Sequence, residues 1–331
     1  MIGLYQQAFE LNDEVFLKDI DARSNAEALN FNGMIYYSLG KYELALEYWE
    51  KSLSIMKQIK DILGEGVTLN NISLVLKMRG KYDDALSYLA EALSIQKKNS
   101  DKRGEGVSLN NISQIYAAKG DYATAFEFLE KSLSIHQQIN DNRGISVLLN
   151  NLAKVAYEKK DIDTSLVYLK KSLDIQRQMG DRRGEGMTLN NISMIYQELG
   201  DTNGALGYLK ESLAIRQQIG DLQGVSVTLN NLSNIYAAKK DYENAFRYIY
   251  QSLGISRDIN DINGIAIIQT NIGVMLFEQN RYDESIMPLF EAYQIYEKLG
   301  SSDIQRTEYY LNAIIQRIGE DRFKAILSAQ Q

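Results

Sequence analysis

Asparagine is the residue type whose repetition in this sequence predicts specific chemistry. The segment Leu-Asn-Asn-Ile-Ser at residues 69–73 returns forty positions later at residues 109–113, and related copies begin at Leu149, Leu189 and Leu229. A carboxamide offers two N–H donors and an oxygen acceptor, so a row of them can pair with the backbone of a bound polypeptide almost regardless of its sequence. We therefore predict a peptide-binding surface. Its two rows are Asn30, Asn70, Asn110, Asn150, Asn190 and Asn230, and Asn71, Asn111, Asn151, Asn191, Asn231 and Asn271.

A second interpretation uses the same amides inside the protein. An asparagine on a helix surface also bonds water, a neighbouring helix end or the asparagine of the next copy. Duplication of a segment copies its residues whether or not they bind a ligand. The sequence leaves both interpretations open.

Specificity is expected from positions that share the asparagine face but vary among copies. At about 100° per residue, Val67, Leu74 and Met78 fall on the side of the helix that carries Asn70 and Asn71. An amphipathic ligand is expected, with apolar side chains that meet Met194 and Val274 and an acidic one that meets Lys154; solvated, unused positions are the alternative. The candidate contacts from these columns are Lys77, Gln114, Lys154, Tyr157, Met194 and Asn234.

Catalytic and metal-binding patterns are not indicated. His136 is the only histidine and cysteine is absent, so one chain holds neither a Ser/His/Asp triad nor a histidine-rich or thiolate metal cluster. Gly64-Glu65-Gly66 lacks the preceding strand and the Lys-Ser/Thr of a phosphate loop, and we assign it to a turn between helices. His136 occupies a column that varies among copies, and we assign it to a tolerant surface position. These observations predict a non-catalytic protein without a cofactor or metal.

The charge balance restricts the partners. The net charge is −7 and the pI is near 5.1, whereas binding to nucleic acid or anionic lipid depends on clustered Lys and Arg. We expect neither a nucleic-acid nor a membrane partner. The absence of cysteine, of an apolar leader near Met1 and of an apolar run long enough to span a bilayer favours a cytoplasmic location.

The elements that carry the asparagines are pairs of helices in a 40-residue repeat. Seven copies run without insertion or deletion from about residue 24 to residue 303. A Gly or Asn suited to a left-handed helix end recurs in two columns, represented by Gly80 and Asn140, and Asp141 represents the aspartates that follow the second column as helix caps. One proline and 22 tyrosines agree with long, aromatic-rich helices.

The two helices of a repeat are predicted to meet along small side chains. Ala85 in the second helix and Ser73 in the first represent columns of Ala, Ser and Gly, which allow two helices to approach closely. Leucine and isoleucine columns, represented by Leu93 and Ile95, supply the apolar stripe around this contact.

These residues resemble the tetratricopeptide repeat family. The resemblance rests on the small-residue columns, on turns such as Gly40-Lys41-Tyr42 and on helices that contain Ala85-Leu86-Ser87-Tyr88. The 40-residue period resembles the long-repeat subgroup of kinesin light chains, Pins/LGN adaptors and bacterial signalling proteins. The resemblance implies an all-α fold, a right-handed superhelical α-solenoid of stacked helix-turn-helix repeats, whose first helices line a concave face that binds peptides or proteins.

The resulting organisation has three parts. Residues 1–23 are predicted to form an N-terminal capping helix, residues 24–303 seven repeats, and residues 304–331 a C-terminal capping helix and tail. Pro288 predicts an irregular seventh repeat, and the segment from Asn150 to Lys160, which lacks the turn glycine and the tyrosine of its neighbours, predicts an irregular fourth. The predicted function is a non-catalytic scaffold that holds a peptide or protein segment. The alternatives are a ligand-sensing region of a bacterial signalling system and a module that self-associates into a homo-oligomer.

Overall fold

A computed structural model describes residues 21–329 of the chain. This range forms sixteen α-helices and no strand. Most of the predicted N-terminal capping helix lies outside the described residues. The helices are α1 (Ala22–Ser38), α2 (Tyr42–Ile59), α3 (Ile62–Met78), α4 (Tyr82–Lys98), α5 (Lys102–Ala118), α6 (Tyr122–Gln138), α7 (Asn142–Glu158), α8 (Ile162–Met179), α9 (Arg182–Glu198), α10 (Thr202–Gln218), α11 (Leu222–Ala238), α12 (Tyr242–Asp258), α13 (Ile262–Glu278), α14 (Tyr282–Leu299), α15 (Ile304–Ile318) and α16 (Glu320–Ser328).

The helices form two compact bodies, which divide within α8. The N-terminal body ends at Tyr168 and the C-terminal body begins at Leu169. In the N-terminal body, α1 packs on α2, α3 on α4 and α5 on α6; in the C-terminal body the pairs are α9 with α10, α11 with α12 and α13 with α14. Neighbouring first helices also touch within each body, as α3 and α5 do. The predicted all-α class of tandem helix pairs is confirmed.

Helix ends follow the two predicted columns. Gly80 and Asn140 both have positive φ, of 71° and 54°, the left-handed conformation that stops a helix. Asp141 then caps α7, because its Oδ1 accepts a hydrogen bond from the backbone N–H of Gly144 at 2.9 Å. The same bond recurs at Asp101 and Asp181.

The fourth and seventh repeats are as regular as the others, so the prediction of local irregularity was wrong. The first helix of the fourth repeat, α7, is 17 residues long, as α5 is. In the seventh repeat, α14 continues through Pro288. A proline removes one backbone donor, and the packed, buried neighbours Ile286 and Leu289 hold the helix together across that gap.

The predicted contact along small side chains is present in both bodies. In the N-terminal body, Ser165 Oγ donates to the carbonyl oxygen of Ala153 at 2.8 Å. In the C-terminal body, Ser233 Oγ donates to the carbonyl oxygen of Ala245 at 2.8 Å. Side chain and backbone meet directly because both helices carry short residues at the crossing.

Glycines near the start of the first helices serve close packing, which corrects two sequence-based assignments. Gly64 and Gly66 lie within α3, not in a turn. In the next repeat a Cβ on Gly106 would lie 2.5 Å from Nε2 of His136, and Gly144 contacts the same ring. His136 is only 4% exposed, so it fills a slot between α5 and α7 and is not a tolerant surface residue.

The last repeat is covered by two further helices. Leu311 and Ile314 of α15 pack with Leu289 of α14, and Phe323 of α16 completes this buried cluster. Residues after Gly319, predicted as a tail, therefore include a short packed helix. No described helix combines the length and the hydropathy that crossing a lipid bilayer requires.

A pair of glycine substitutions tests the packing role of the glycines. Gly106→Ala should destabilise the protein by about 1–3 kcal/mol, because the new methyl group displaces His136 from a packed site. Gly207→Ala should stabilise it by up to about 1 kcal/mol, because Gly207 is helical, exposed and has open space around it. Urea and thermal unfolding measure both. Equal shifts of the two midpoints in one direction would contradict the packing assignment.

Candidate ligand-binding face

The asparagine rows lie on the first helices and are bonded to each other. In the N-terminal body, Asn71 Nδ2 donates to Asn30 Oδ1 at 2.7 Å, and Asn111 Nδ2 donates to Asn70 Oδ1 at 3.1 Å. Asn151 Nδ2 continues the pattern with Asn110 Oδ1 at 2.8 Å. In the C-terminal body, Asn271 Nδ2 donates to Asn230 Oδ1 at 3.0 Å. We call these bonds the amide ladder.

Hydroxyl groups of the following repeat complete the ladder. Asn70 Nδ2 donates to Ser108 Oγ at 2.9 Å, and the side-chain amide of Gln96 lies 2.6 Å from the same hydroxyl oxygen. In the C-terminal body, Asn190 Nδ2 donates to Thr228 Oγ1 at 3.0 Å. Asn70 is only 5% exposed and Asn111 9%. Adjacent first helices therefore use these polar groups to join neighbouring repeats.

This arrangement corresponds to the second of the two interpretations of the asparagines. We expected these asparagine amides to be free on the surface, and for the residues of the ladder this was wrong. First helices lie close enough for side chains one repeat apart to bond each other. Contact of these asparagines with a peptide stays a prediction.

The ladder is interrupted once in the C-terminal body. Asn190 Oδ1 is buried and has no hydrogen-bond partner among the described residues. Asn231, which stands where Asn271 stands in the next repeat, is half-buried and shows no side-chain hydrogen bond within residues 169–329. The Asn231 amide is thus available where its counterparts are occupied.

Apolar side chains form an exposed column beside the ladder, which sequence reasoning did not single out as a site. Val67, Val107 and Val147 of the N-terminal body are 51%, 40% and 47% exposed. Met187 and Val227 continue the column in the C-terminal body at 49% and 46%. The sequence does contain a signal for this column, because a valine recurs four residues before the second asparagine of most Asn-Asn pairs, as Val67 does before Asn71. Large apolar side chains repeated on one open face mark an interaction surface more often than isolated ones do.

Two lysines predicted as contact residues share one cleft of the N-terminal body, of ≈ 630 Å³. Lys77 of α3 lines it with Gln114 of α5 and Lys154 of α7, and Lys77 Nζ donates to Gln114 Oε1 at 2.7 Å. Ala117 and Asn151 also line this space, which we call the lysine cleft. Lys77, Gln114 and Lys154 were predicted as contacts from two variable columns, and the structure brings them together.

The lysine cleft has an unbalanced charge. Burial lowers the pKa of Lys77, and the positive charge of Lys154 lowers it further. Glu158 is the acidic residue of the lining, and its Oε2 accepts a weak bond of 3.4 Å from the hydroxyl of Tyr122. Within residues 21–168, no carboxylate oxygen lies within 4.0 Å of either ammonium nitrogen.

The remaining predicted contacts are not among the residues that line this cleft. In the N-terminal body, Lys160 Nζ lies 5.6 Å from the centre of the Tyr157 ring. In the C-terminal body, Met194 is 52% exposed and Asn234 is half-buried. Val274 is buried at 8%, so the expectation that it meets a ligand was wrong; α15 packs against this helix.

His136 lines a smaller cavity, of ≈ 200 Å³. His136 Nδ1 lies 3.0 Å from Asp141 Oδ2. Burial alone would raise the pKa of Asp141, but the N–H of Gly144 and the His136 ring lower it below its usual value. Asp141 is thus committed to capping α7. Among residues 21–329, no group of three or more His, Asp or Glu side chains is arranged to hold a metal ion.

Comparison with known proteins identifies the repeat. Residues 24–98, 64–138, 105–178, 144–218 and 224–298 match the tetratricopeptide repeat profile. The chain belongs to the tetratricopeptide repeat family. The resemblance seen in the repeat columns is thereby confirmed, and tetratricopeptide repeats generally serve as non-catalytic binding scaffolds. A search of curated proteins found no match.

Solved structures share the fold at low sequence identity. BtubC (BKLC) from P. vanneervenii is 17% identical with a TM-score of 0.55, over 73% of this chain and 93% of that one. The Rap conjugation gene regulator of plasmid pLS20, solved with the Phr* peptide, is 15% identical with a TM-score of 0.61, over 93% and 82%. A signal transduction ATPase with numerous domains and a tetratricopeptide repeat sensor, from Pyrococcus horikoshii, is 17% identical with a TM-score of 0.59, over 92% and 49%.

The ladder assignment predicts unequal effects of two asparagine substitutions. Asn70→Ala should lower stability by about 1–3 kcal/mol, because it removes the buried acceptor of the Asn111 amide and one of the two buried partners of the Ser108 hydroxyl. Asn231→Ala should change stability by less than about 0.5 kcal/mol, because no bond is lost. Thermal melting under identical conditions compares them. Equal losses would show that the ladder does not join the repeats.

Proposed function

We propose that this protein is a non-catalytic binding module that holds a segment of another polypeptide on the face of its first helices. The observation that carries the proposal is the exposed apolar column, represented by Val107 and Val147, beside the lysine cleft of the same face. A surface of this kind buries apolar side chains of a partner, and the cleft and the amides fix its orientation. The fold is shared with the Rap regulator that was solved with a peptide.

Asparagines contribute to this proposal through the hydrogen-bonding capacity that the ladder does not use. Each donor amide has two N–H groups and places one of them in the ladder. Asn71 and Asn151 are half-buried, and Asn151 lines the lysine cleft, so their second N–H can bond a peptide carbonyl. Asn231 retains its whole amide. The asparagines thus hold the repeats together first and offer the remaining groups to a backbone.

The two other predicted functions stay alternatives. A ligand-sensing region would use the same face. The Pyrococcus horikoshii protein shares this fold over 49% of its own length. Self-association would place the face of one copy on another, and light scattering that rises with concentration would indicate it. A cytoplasmic location stays a prediction.

Two valines of similar exposure, 47% for Val147 and 50% for Val167, lie on different helices of the N-terminal body and provide the test. Val147 lies on the first-helix face of α7, whereas Val167 lies on α8 and is 50% exposed. A displayed random peptide library would be selected on the unmodified protein. Val147→Asp should weaken the selected peptides at least about tenfold, because a charge replaces a buried contact worth about 1.5 kcal/mol or more. Val167→Asp should leave the affinity unchanged.

Fluorescence anisotropy of labelled peptides measures these affinities. Failure to enrich any peptide, or equal weakening by both variants, would overturn the proposal. Circular dichroism melts of both variants establish that each remains folded.

A further inference from the structure

Lys77 is a partly desolvated amine in the wall of the lysine cleft. Its side chain is half-buried, and its Nζ donates to Gln114 Oε1 at 2.7 Å. Burial lowers the pKa of Lys77, and the positive charge of Lys154 lowers it further. Both causes favour the neutral amine over the ammonium ion. Lys77 therefore holds a larger fraction of neutral amine than an ordinary lysine does at the same pH.

A neutral lysine amine is a nucleophile, and the contacts of Lys77 leave its lone pair unused. The amine has two N–H groups, and Gln114 accepts one of them. Within residues 21–168, no carboxylate oxygen lies within 4.0 Å of Lys77 Nζ to hold it in the charged form. Lysines that are desolvated beside a second cationic group are the ones that react with electrophiles.

Neither lysine is needed for the helices of a repeat to pair. The column of Lys77 is filled elsewhere by Tyr, Ala, Gln and Phe, and the column of Lys154 by Met, Leu, Gln, Asn and Val. Helix pairs form with all of these residues. The approach of Lys154 to Lys77 is therefore a property of this cleft and not of the repeat.

The surroundings of Lys77 indicate which electrophile suits it. Met78, Ala117 and Leu129 give the cleft an apolar wall, which admits a small uncharged molecule. The positive charge of Lys154 disfavours a cationic adduct and stabilises an anionic one. An aldehyde gives an imine, whose protonated form is a cation, whereas carbon dioxide gives a carbamate, which is an anion. Carbon dioxide is the electrophile that agrees with both features.

We propose that Lys77 is a site of reversible carbamate formation with carbon dioxide. The lone pair of Nζ forms a bond to the carbon atom, one C=O electron pair moves to oxygen, and the nitrogen releases one proton to solvent. The remaining N–H donates to Gln114 as before, and the new carboxylate accepts a charge-assisted hydrogen bond from Lys154. Glu158 also lines the cleft, but the charge that acts on Lys77 is that of Lys154.

Isotope trapping on the whole protein tests the proposal. The protein is equilibrated at fixed pH with ¹³C-labelled carbon dioxide and bicarbonate, and triethyloxonium then converts each carbamate to a stable ester. Peptide mass spectrometry maps the labelled lysines. Lys77 should be the most heavily labelled lysine, well above Lys131, which is exposed on α6 and does not line the cleft.

Matched variants separate the cleft from general reactivity of lysine. Lys154→Gln should lower the label on Lys77 at least about tenfold at the same carbon dioxide concentration, because it removes a charge-assisted hydrogen bond to the carbamate. Lys131→Gln makes the same change in charge outside the cleft and should leave the label on Lys77 unchanged. Glutamine already fills the column of Lys154 at Gln114, and circular dichroism melts establish that both variants fold.

A second measurement requires no trapping reagent. ¹³C NMR of the protein under labelled carbon dioxide should show a carbamate signal that is absent from Lys77→Gln, a residue that the same column holds at Gln197. No label on Lys77, equal labelling of Lys77 and Lys131, or an unchanged label in Lys154→Gln would overturn the proposal.

This inference does not rest on the proposed function, because its test uses no peptide. Peptides that depend on Val147, together with an unlabelled Lys77, would remove the carbamate site alone. A labelled Lys77 without any selected peptide would remove the proposed function alone.

Discussion

Pairing of asparagine side chains between neighbouring first helices is the interaction on which the rest of this structure depends. Helices of one repeat meet along short side chains, but first helices of adjacent repeats touch over a small area. Amide and hydroxyl bonds such as Asn111 to Asn70 and Asn70 to Ser108 fix the register across that area. Because leaving such buried polar groups unpaired is costly, the ladder favours one register. Within the N-terminal body that register brings Lys77 and Lys154 to a single cleft.

Local signals made the helices predictable. Gly80 at positive φ and the capping bond of Asp141 are decided by a few consecutive residues, so the sequence shows them directly. Small residues such as Ser233 and Ala245 likewise indicated the contact between paired helices. The irregularity predicted from Pro288 was wrong because a proline removes a single backbone hydrogen bond, whereas the packing of α14 extends along the whole helix.

The site was less predictable because it depends on distances between repeats. An asparagine bonds a ligand, water or a neighbouring amide with similar ease, and the spacing of first helices decides among them. His136 was misassigned for a related reason, since its slot exists only where Gly106 and Gly144 lack side chains. The meeting of Lys77 with Lys154 was likewise invisible in columns considered one at a time. The face therefore combines amides that bond each other with exposed apolar side chains and with lysines that have no carboxylate partner within residues 21–168.

Exchange of the asparagine side-chain amide protons, followed by NMR, tests the ladder most directly. We expect the Nδ2 protons of Asn111 to exchange far more slowly with solvent than those of Asn231, because of the two only Asn111 is buried and bonded to the neighbouring repeat. Equally rapid exchange at both residues would contradict it, since the asparagines would then be free groups on the surface and not the joints between repeats.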